Sequence, residues 1–442
     1  MNATQSMTRV AFASAPLLLV VPGCGSRSAL LQVERDDAGV AGGGAVSGGG
    51  GSSSGGAASG GSAGAGPCHA LLPLAPTLSP ANVPPSMLDD GLRLTTTSDD
   101  GARVTAVFVR KSPSGKLTLR HASLQPWQDW PANGELAPVH TPDIETVSVH
   151  VLARSGAERW ATAVRTDEGL RLYRHIEATQ GGPGSLPIAL PGIEPSFLAS
   201  GPAGSSTHLV GTFDVAVEGQ RLGAQLVDAA GETMELPPLG CANGQPPRSD
   251  AVPFGQGWLV AHSRHEGVLK CPASGTGPPG QVDVLYVSSS GLVTTLASMD
   301  AEGTVVDLHV ATHPLGAYVV WSIVPSASEP GPGLRAVLVN GDTGNAFGPF
   351  TLGPGDESGT TFTAGAIGSQ LAVAERRSFQ GILVSVFDEA FTLLASVTLG
   401  TGAGSSPTAL LGSPDGSGVL LGWTQSAGGD YRVHLTRLDC AP

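Results

Sequence analysis

Two residues in the second half of the chain, Asp307 and His309, have the types and the spacing that acid–base chemistry requires. They lie in the alternating run Val306–Val310, which predicts a β-strand, and residues two apart on a strand point to the same face. A carboxylate and an imidazole on one face can exchange protons with a substrate or hold a cation. A further histidine, His150, lies in a similar run, Val147–Val151. These three are the candidate catalytic residues if the protein is an enzyme. The alternative, which the pattern favours, is that they are polar residues in contact with trapped water and have no catalytic role.

The pair Trp127 and Trp130 is a candidate binding site on a predicted loop between strands. Two indole rings on a loop offer flat apolar faces on which a sugar or an aromatic partner can stack. The alternative is that both rings pack against the neighbouring strands, which is the commoner role of tryptophan in such a position.

No sequence motif indicates a cofactor or a metal. The run His262-Ser263-Arg264-His265 precedes Cys271, but residues three apart on a strand point to opposite faces, so we predict no zinc site. His262 is instead expected to be a partly buried strand residue. The phosphate-binding pattern G-x-x-x-x-G-K-[ST] is absent, and the G-x-S-x-G match at 60–64 lies where neither a strand nor a helix is predicted.

The composition indicates a turn-rich β protein that must position these candidate residues. The 442 residues include 63 Gly and 35 Pro, yet 40% are hydrophobic and the mean hydropathy is +0.11, so a large core is available. This profile excludes a coiled coil, a helical bundle and a polytopic membrane protein. The net charge of −14 argues against binding to a phosphate backbone, so nucleic acid is not a predicted partner.

A five-residue apolar strand core recurs seven times after Cys68. Successive copies begin 48 to 59 residues apart, with a mean of about 52. The copies are Val104–Phe108, Trp160–Val164, His208–Thr212, Trp258–His262, Ala317–Trp321, Leu371–Glu375 and Val419–Trp423. One shared period predicts one repeated unit, whereas a pair of two-sheet sandwiches, the alternative, would need separate spacings.

Several copies are followed by a third and a fourth alternating strand, as in Leu170–Arg174 and Leu186–Leu190. Four strands repeated at about 50 residues resemble a β-propeller. The resemblance implies an all-β fold with seven four-stranded blades over residues 67–442. It also implies that the innermost strands line an axial channel, which would contain the candidate aspartate and histidines.

The ring that the resemblance implies also suggests how the chain closes. The seventh unit has only three strands before the chain ends, and Ala70–Ala75 resembles the outer strands of other units. We therefore predict that this N-terminal strand completes the last blade, with a disulfide between Cys68 and Cys440. Cys241 and Cys271 fall in neighbouring blades and are predicted to form a second disulfide.

The N-terminus resembles the signal of a bacterial exported lipoprotein. Residues 10–21 are twelve uncharged residues after Arg9, too short for a helix to cross ~30 Å of hydrocarbon, and Pro22-Gly23-Cys24 follows them. The resemblance implies that 1–23 is a signal peptide and that Cys24 carries lipid. An ordinary signal peptide with a chance cysteine is the alternative, and translation starts at Met1 or Met7.

Residues 24–66 are predicted to be a flexible tether. From Gly39 to Gly66 the chain contains 28 residues of mainly Gly, Ser and Ala, with an r.m.s. span of roughly 30 Å. This segment would link the lipid to the folded domain.

These features predict an exported monomer anchored by the lipid on Cys24 to the cell envelope, on the outer-membrane or periplasmic side. The favoured function is a binding or scaffold module that recognises a protein or glycan partner, without a cofactor. The alternative is a hydrolase or lyase that acts at the mouth of the channel through His150, Asp307 and His309.

Overall fold

Short antiparallel strands joined by tight turns make up the structure. The computed structural model describes residues 67–83, 92–96, 103–111, 117–128, 130, 148–154, 159–176, 187–202, 205–216, 219–242, 248–264, 280–324, 333–353, 361–377, 380–401, 404–427 and 430–441. The predicted signal peptide and tether therefore lie outside the described residues. Within the described part of the chain, no helix is long and apolar enough to cross a bilayer.

The strands follow one another blade by blade along the chain. Two N-terminal strands come first, β1 (Ala70–Pro73) and β2 (Thr77–Val83). Blade 1 has β3 (Leu92–Thr96), β4 (Val104–Lys111) and β5 (Leu117–Leu124). Blade 2 has β6 (Ser148–Arg154), β7 (Arg159–Thr166), β8 (Gly169–Ile176) and β9 (Ile188–Leu190). Blade 3 has β10 (Glu194–Ser200), β11 (His208–Ala216), β12 (Gly219–Val227), β13 (Thr233–Glu235) and the short β14 (Gly240–Ala242).

The second half repeats the pattern with longer outer strands. Blade 4 has β15 (Ser249–Phe254), β16 (Gly257–Arg264), β17 (Gln281–Ser288) and β18 (Val293–Asp300). Blade 5 has β19 (Thr304–His313), β20 (Gly316–Val324), β21 (Gly333–Asn340) and β22 (Ala346–Gly353). Blade 6 has β23 (Phe362–Ile367), β24 (Gln370–Arg377), β25 (Gly381–Phe387) and β26 (Leu393–Leu399). Blade 7 has β27 (Ser405–Gly412), β28 (Gly418–Ala427) and β29 (Asp430–Ala441).

The innermost strands form a closed ring. In chain order β3, β6, β10, β15, β19, β23 and β27 each contact the next, and β27 contacts β3 again. The seven strand cores that recur in the sequence are the second strands of the seven blades. The predicted seven-bladed propeller is confirmed, and the sandwich alternative is wrong.

The second strands are buried on both faces, which explains their continuous apolar sequences. Trp258, Tyr318 and Trp321 on these strands are fully buried. Small residues occur where blades approach each other closely: a Cβ added at Gly422 would lie 2.4 Å from Cδ2 of Leu92 in blade 1. The absence of a side chain at Gly422 is therefore a packing requirement between the two sheets.

The ring closes as the sequence predicts. β1 pairs antiparallel with β29, with Leu71 opposite Cys440, and a disulfide joins Cys68 to Cys440 at a Cα–Cα distance of 5.0 Å. The structure adds that β2 also pairs with β29. The outer edge of the last blade is thus covered by two consecutive N-terminal strands, because β29 is long enough for both.

The second predicted disulfide remains a prediction. Cys241 lies in β14, which pairs with β12, whereas Cys271 lies outside the described residues.

Candidate functional site

A cavity of about 350 Å³ lies among the inner strands, at the position of the predicted axial channel. Its walls come from the inner strands of six blades, in addition to residues next to those strands. The polar lining consists of Arg93, Glu194, Ser196, Arg248, Ser249, Asp250, Asp307, His309, Thr363 and Thr408. The residues that meet here are therefore distant in the chain.

The centre of the site is His309, which lies between two carboxylates. Nε2 of His309 is 3.5 Å from Oδ2 of Asp307 on its own strand, and Nδ1 is 3.9 Å from Oδ2 of Asp250 in blade 4. The three side chains are a quarter to a third exposed, and all three line the cavity. The Phe362 ring and the imidazole form an edge-to-face pair, with ring centroids 5.0 Å apart.

Backbone N–H groups hold both carboxylates in place. Asp250 accepts hydrogen bonds from Val310 N and Ala251 N, each at 2.8 Å. Asp307 accepts one from Leu308 N at 2.9 Å. The bond from Val310 crosses from blade 5 to blade 4, so Asp250 also joins the two inner strands.

Burial and charge act in opposite directions on the central histidine. Burial disfavours the imidazolium, but the carboxylate of Asp307 and that of Asp250 outweigh it and raise the pKa of His309 above its ordinary value. Burial also raises the pKa of Asp250, although His309 and the two backbone N–H groups oppose that shift. The cluster therefore favours a protonated imidazole between its carboxylates.

Further polar groups complete the walls. Nη1 of Arg93 donates to the carbonyl of Thr408 at 3.2 Å, which links blade 1 to blade 7. Glu194 pairs with Arg165 at 2.8 Å, and the hydroxyls of Ser196 and Ser249 are hydrogen-bonded to each other. Thr408 is 4% exposed, and its hydroxyl has no hydrogen-bond partner among the residues that the structure describes.

The arrangement suits binding better than proton transfer. A histidine that acts as a general acid or base uses one ring nitrogen for an orienting group and offers the other to the substrate. Here both nitrogens of His309 face carboxylates of the protein. Among the described residues, moreover, no group of three or more His, Cys, Asp or Glu side chains is arranged to hold a metal ion.

The structure brings together two of the three residues predicted as a cluster. Asp307 and His309 share the channel face, and the side chain of His150, on β6, lies outside what the structure describes. Asp250 was missed by the sequence analysis. A signal existed, because Asp250 precedes Trp258 by eight residues, as His309 precedes Ala317.

The two candidate tryptophans are half-buried against the core of blade 1. Nε1 of Trp130 donates to the carbonyl of Ala75 at 2.9 Å, and the guanidinium of Arg437 lies 5.8 Å from the centre of the Trp127 ring. Both rings therefore help to attach the N-terminal segment and blade 7 to blade 1. Their role in ligand binding stays a prediction.

His262 is more deeply buried than expected. Its side chain is 2% exposed, and Nε2 lies 3.8 Å from Oδ2 of Asp283, which also forms an ion pair with Arg264. A Cβ at Gly240 of blade 3 would lie 2.6 Å from the His262 ring. The expectation of partial burial was wrong because blade 3 covers this end of β16.

No protein-family model matches the chain, and no curated protein matches its sequence. Solved structures are similar in fold. Hydrazine synthase of Kuenenia stuttgartiensis is 14% identical, with a TM-score of 0.49, over 79% of this chain and 96% of that chain. The β-propeller domain of the Trilobed protease from Pyrococcus furiosus is 11% identical, with a TM-score of 0.46, over 79% and 94%. An Aleuria aurantia lectin in complex with alpha-methyl-L-fucoside is 9% identical, with a TM-score of 0.43, over 71% and 96%.

Proposed function

We propose that the protein is a lipid-anchored binding module of the cell envelope whose channel cavity recognises the end of a glycan. The observation that carries the proposal is the convergence of charged and hydroxyl side chains from six blades on one small cavity. Ligand sites are typically concave and contain a few convergent polar groups. A rigid ring that presents such a cavity supports recognition of a partner.

The chemistry of the lining favours a small uncharged or zwitterionic ligand. Three carboxylates, from Glu194, Asp250 and Asp307, are accompanied by two guanidinium groups and one imidazole. The charges nearly balance, so neither a strong anion nor a strong cation is favoured. Sugar hydroxyls both donate and accept hydrogen bonds, which suits this mixed lining.

The size of the cavity and its apolar walls also favour a small sugar ligand. A volume of about 350 Å³ is near the lower end for ligand cavities, which suits one or two sugar rings better than a folded partner. Leu94 and Phe213, which are partly exposed, supply apolar surface for the C–H face of a sugar. The alternative, a hydrolase or lyase, would require one nitrogen of His309 to leave its carboxylate and face the substrate.

Removal of the channel acids is expected to abolish most glycan binding. Asp307→Asn removes the charge but keeps the shape of the side chain and an oxygen that can accept from Leu308 N. Asp250→Asn also removes the charge, and in addition it loses one of two backbone hydrogen bonds, because each carboxylate oxygen of Asp250 accepts one. A hydrogen bond to a charged group contributes about 1.5–3 kcal/mol, so affinity should fall by about ten- to a hundredfold. Binding to an array of immobilised glycans, followed by calorimetry with the free sugar, measures the change.

Asp214→Asn, an exposed change on β11 outside the cavity lining, is the matched control and should bind as the wild type does. A glycan that binds Asp307→Asn/His309→Ala with wild-type affinity would place the site elsewhere, with Trp127 and Trp130 as the next candidates. Release of a product from the bound sugar would instead support the catalytic alternative.

Replacement of Cys24 by Ser is expected to release the protein from the membrane. The thiol is the predicted attachment site of the lipid, and the predicted tether that follows offers no other anchor. Fractionation of cells into membrane and soluble parts measures the distribution. Ser28→Ala in the same segment is the control and should stay with the membrane. Membrane association of Cys24→Ser at the wild-type level would contradict the anchor.

A further inference from the structure

One turn in the repeat departs from its equivalents. In blades 3, 4 and 6 the third and fourth strands are joined by turns of the same hydrogen-bonding pattern, and the corresponding turn of blade 5 is one residue longer. Three of these turns place glycine at the left-handed position, with φ of 92° at Gly231, 84° at Gly291 and 71° at Gly344. Blade 6 places Phe391 there, with φ of 60°. A bulky residue rarely adopts this conformation, so the backbone conformation of Phe391 costs free energy that glycine would not cost.

The Phe391 ring is part of an aromatic group between blades 5 and 6. Its centroid lies 5.0 Å from that of Phe350 and 6.3 Å from that of Phe347, in stacked orientations. The Tyr318 and Phe391 rings form an edge-to-face pair with centroids 5.7 Å apart. The strained turn thus places Phe391 against the partly exposed rings of β22.

Exposed apolar side chains surround this group on one face of the propeller. In an antiparallel blade the turn after the first strand and the turn after the third lie at the same end of the sheet. Leu315, Phe347 and Leu393 lie in or beside such turns and are 56%, 50% and 53% exposed. We call Leu315, Phe347, Phe350, Phe391 and Leu393 the aromatic rim.

The acids outnumber the basic groups in the described turns around the aromatic rim, where the one imidazole, that of His313, lies 3.4 Å from the carboxylate of Glu389. The four turns at this end of blades 5 and 6 are 313–316, 340–345, 367–370 and 388–392. They contain Asp342, Asp388 and Glu389 and no lysine or arginine. Asp388 stabilises its own turn, since its Oδ1 accepts hydrogen bonds from the N–H groups of Ala390 and Thr392. Asp342 and Glu389 are exposed.

We propose that the aromatic rim docks a segment of a partner protein that carries basic and apolar side chains. Charge complementarity selects this occupant: a second copy of the chain would bring the same carboxylates together, and an anionic bilayer would be repelled. The surface is separate from the channel cavity, so this interaction goes beyond the proposed glycan binding.

The test uses the full chain carrying Cys24→Ser, so that no lipid contributes. One probe is a short amphipathic peptide of leucine and lysine, and the second is its counterpart with glutamate in place of lysine. The lysine peptide should bind, more weakly as salt is raised, and the glutamate peptide should not. Fluorescence anisotropy of labelled peptides measures both affinities.

Two rim variants separate docking from non-specific attraction to an acidic protein. Phe347→Ser should weaken binding of the lysine peptide by about tenfold, and Asp342→Asn/Glu389→Gln should weaken it by a similar factor and reduce its salt dependence. Val324→Ser and Asp214→Asn, at the opposite end of the blades, are the matched controls and should have no effect. Circular dichroism checks that each variant folds, and Phe391→Gly is a second rim variant that restores the glycine of the equivalent turns.

Three results would overturn the proposal. Unchanged lysine-peptide affinity in folded Phe347→Ser and Phe391→Gly would show that the rim takes no part. Equal binding of the two peptides would remove the role of charge. Binding to phosphatidylcholine vesicles that is lost in Phe347→Ser would assign the rim to a bilayer instead.

Discussion

Through three buried histidines, acidification from about pH 7 to about pH 5 is expected to cost the propeller on the order of 5 kcal/mol of stability. Burial lowers the pKa of His121, His208 and His434 from 6.5 to about 4 in the folded protein. In the unfolded chain these imidazoles take up a proton first as the pH falls. The stability they contribute is therefore complete above pH 6.5 and is lost as the pH falls toward 4.

The magnitude follows from the size of the three shifts. Each buried imidazole accounts for up to about 2 kcal/mol between pH 7 and pH 5. The channel acts in the opposite direction, because the pKa values of His309 and Asp250 are raised in the fold and their protonation stabilises it. Guanidinium denaturation at the two pH values measures the net difference in the free energy of unfolding.

A variant of His434 tests the assignment of this effect. The His434 ring stacks on Trp423, with centroids 4.0 Å apart and planes 8° apart. His434→Phe keeps the stacked ring but cannot be protonated, so it should reduce the loss of stability between pH 7 and pH 5 by about 2 kcal/mol. Equal stability of the wild type at both pH values, or an unchanged pH effect in His434→Phe, would contradict the account.

Loss of the Cys68–Cys440 disulfide is the second large expected effect. The cross-link joins residues 372 apart, so chain-entropy arguments give up to about 6 kcal/mol of stabilisation through the unfolded state. Residual structure in the unfolded chain reduces that figure, and we expect a loss of several kcal/mol. Denaturation of Cys68→Ser/Cys440→Ser measures it.

The variant is compared with the oxidised wild type and, as a second reference, with the wild type under reducing conditions. Reduction would also open the predicted Cys241–Cys271 bond, so Cys241→Ser/Cys271→Ser is the matched control for that second cross-link. Hydrogen bonds from β1 and β2 to β29 remain in every variant, so the ring should still close. Stability of Cys68→Ser/Cys440→Ser equal to the wild type, or faster aggregation without lower stability, would contradict the entropic role.

The sequence alone was sufficient for the architecture. The seven strand cores, the number of blades and the closure by an N-terminal strand were all predicted correctly, because alternation and turn residues are local properties of the chain. Because the strand cores recur at a nearly fixed spacing, the position of one repeat unit predicts the position of the next. The Cys68–Cys440 pair followed from the same reasoning, since a ring must join its ends.

Only the tertiary structure determined the surroundings of each candidate residue. Asp250 meets His309 across two blades, Trp130 donates to Ala75, and Phe391 stacks on the strand of a neighbouring blade. Strand periodicity states which face a side chain occupies, but the contact between two blades depends on register shifts such as the bulge between Val305 and Asp307. The sequence thus determined the number of blades and their spacing along the chain. Packing between blades decided which charged and aromatic side chains meet, because those contacts join residues that have no local relation in the chain.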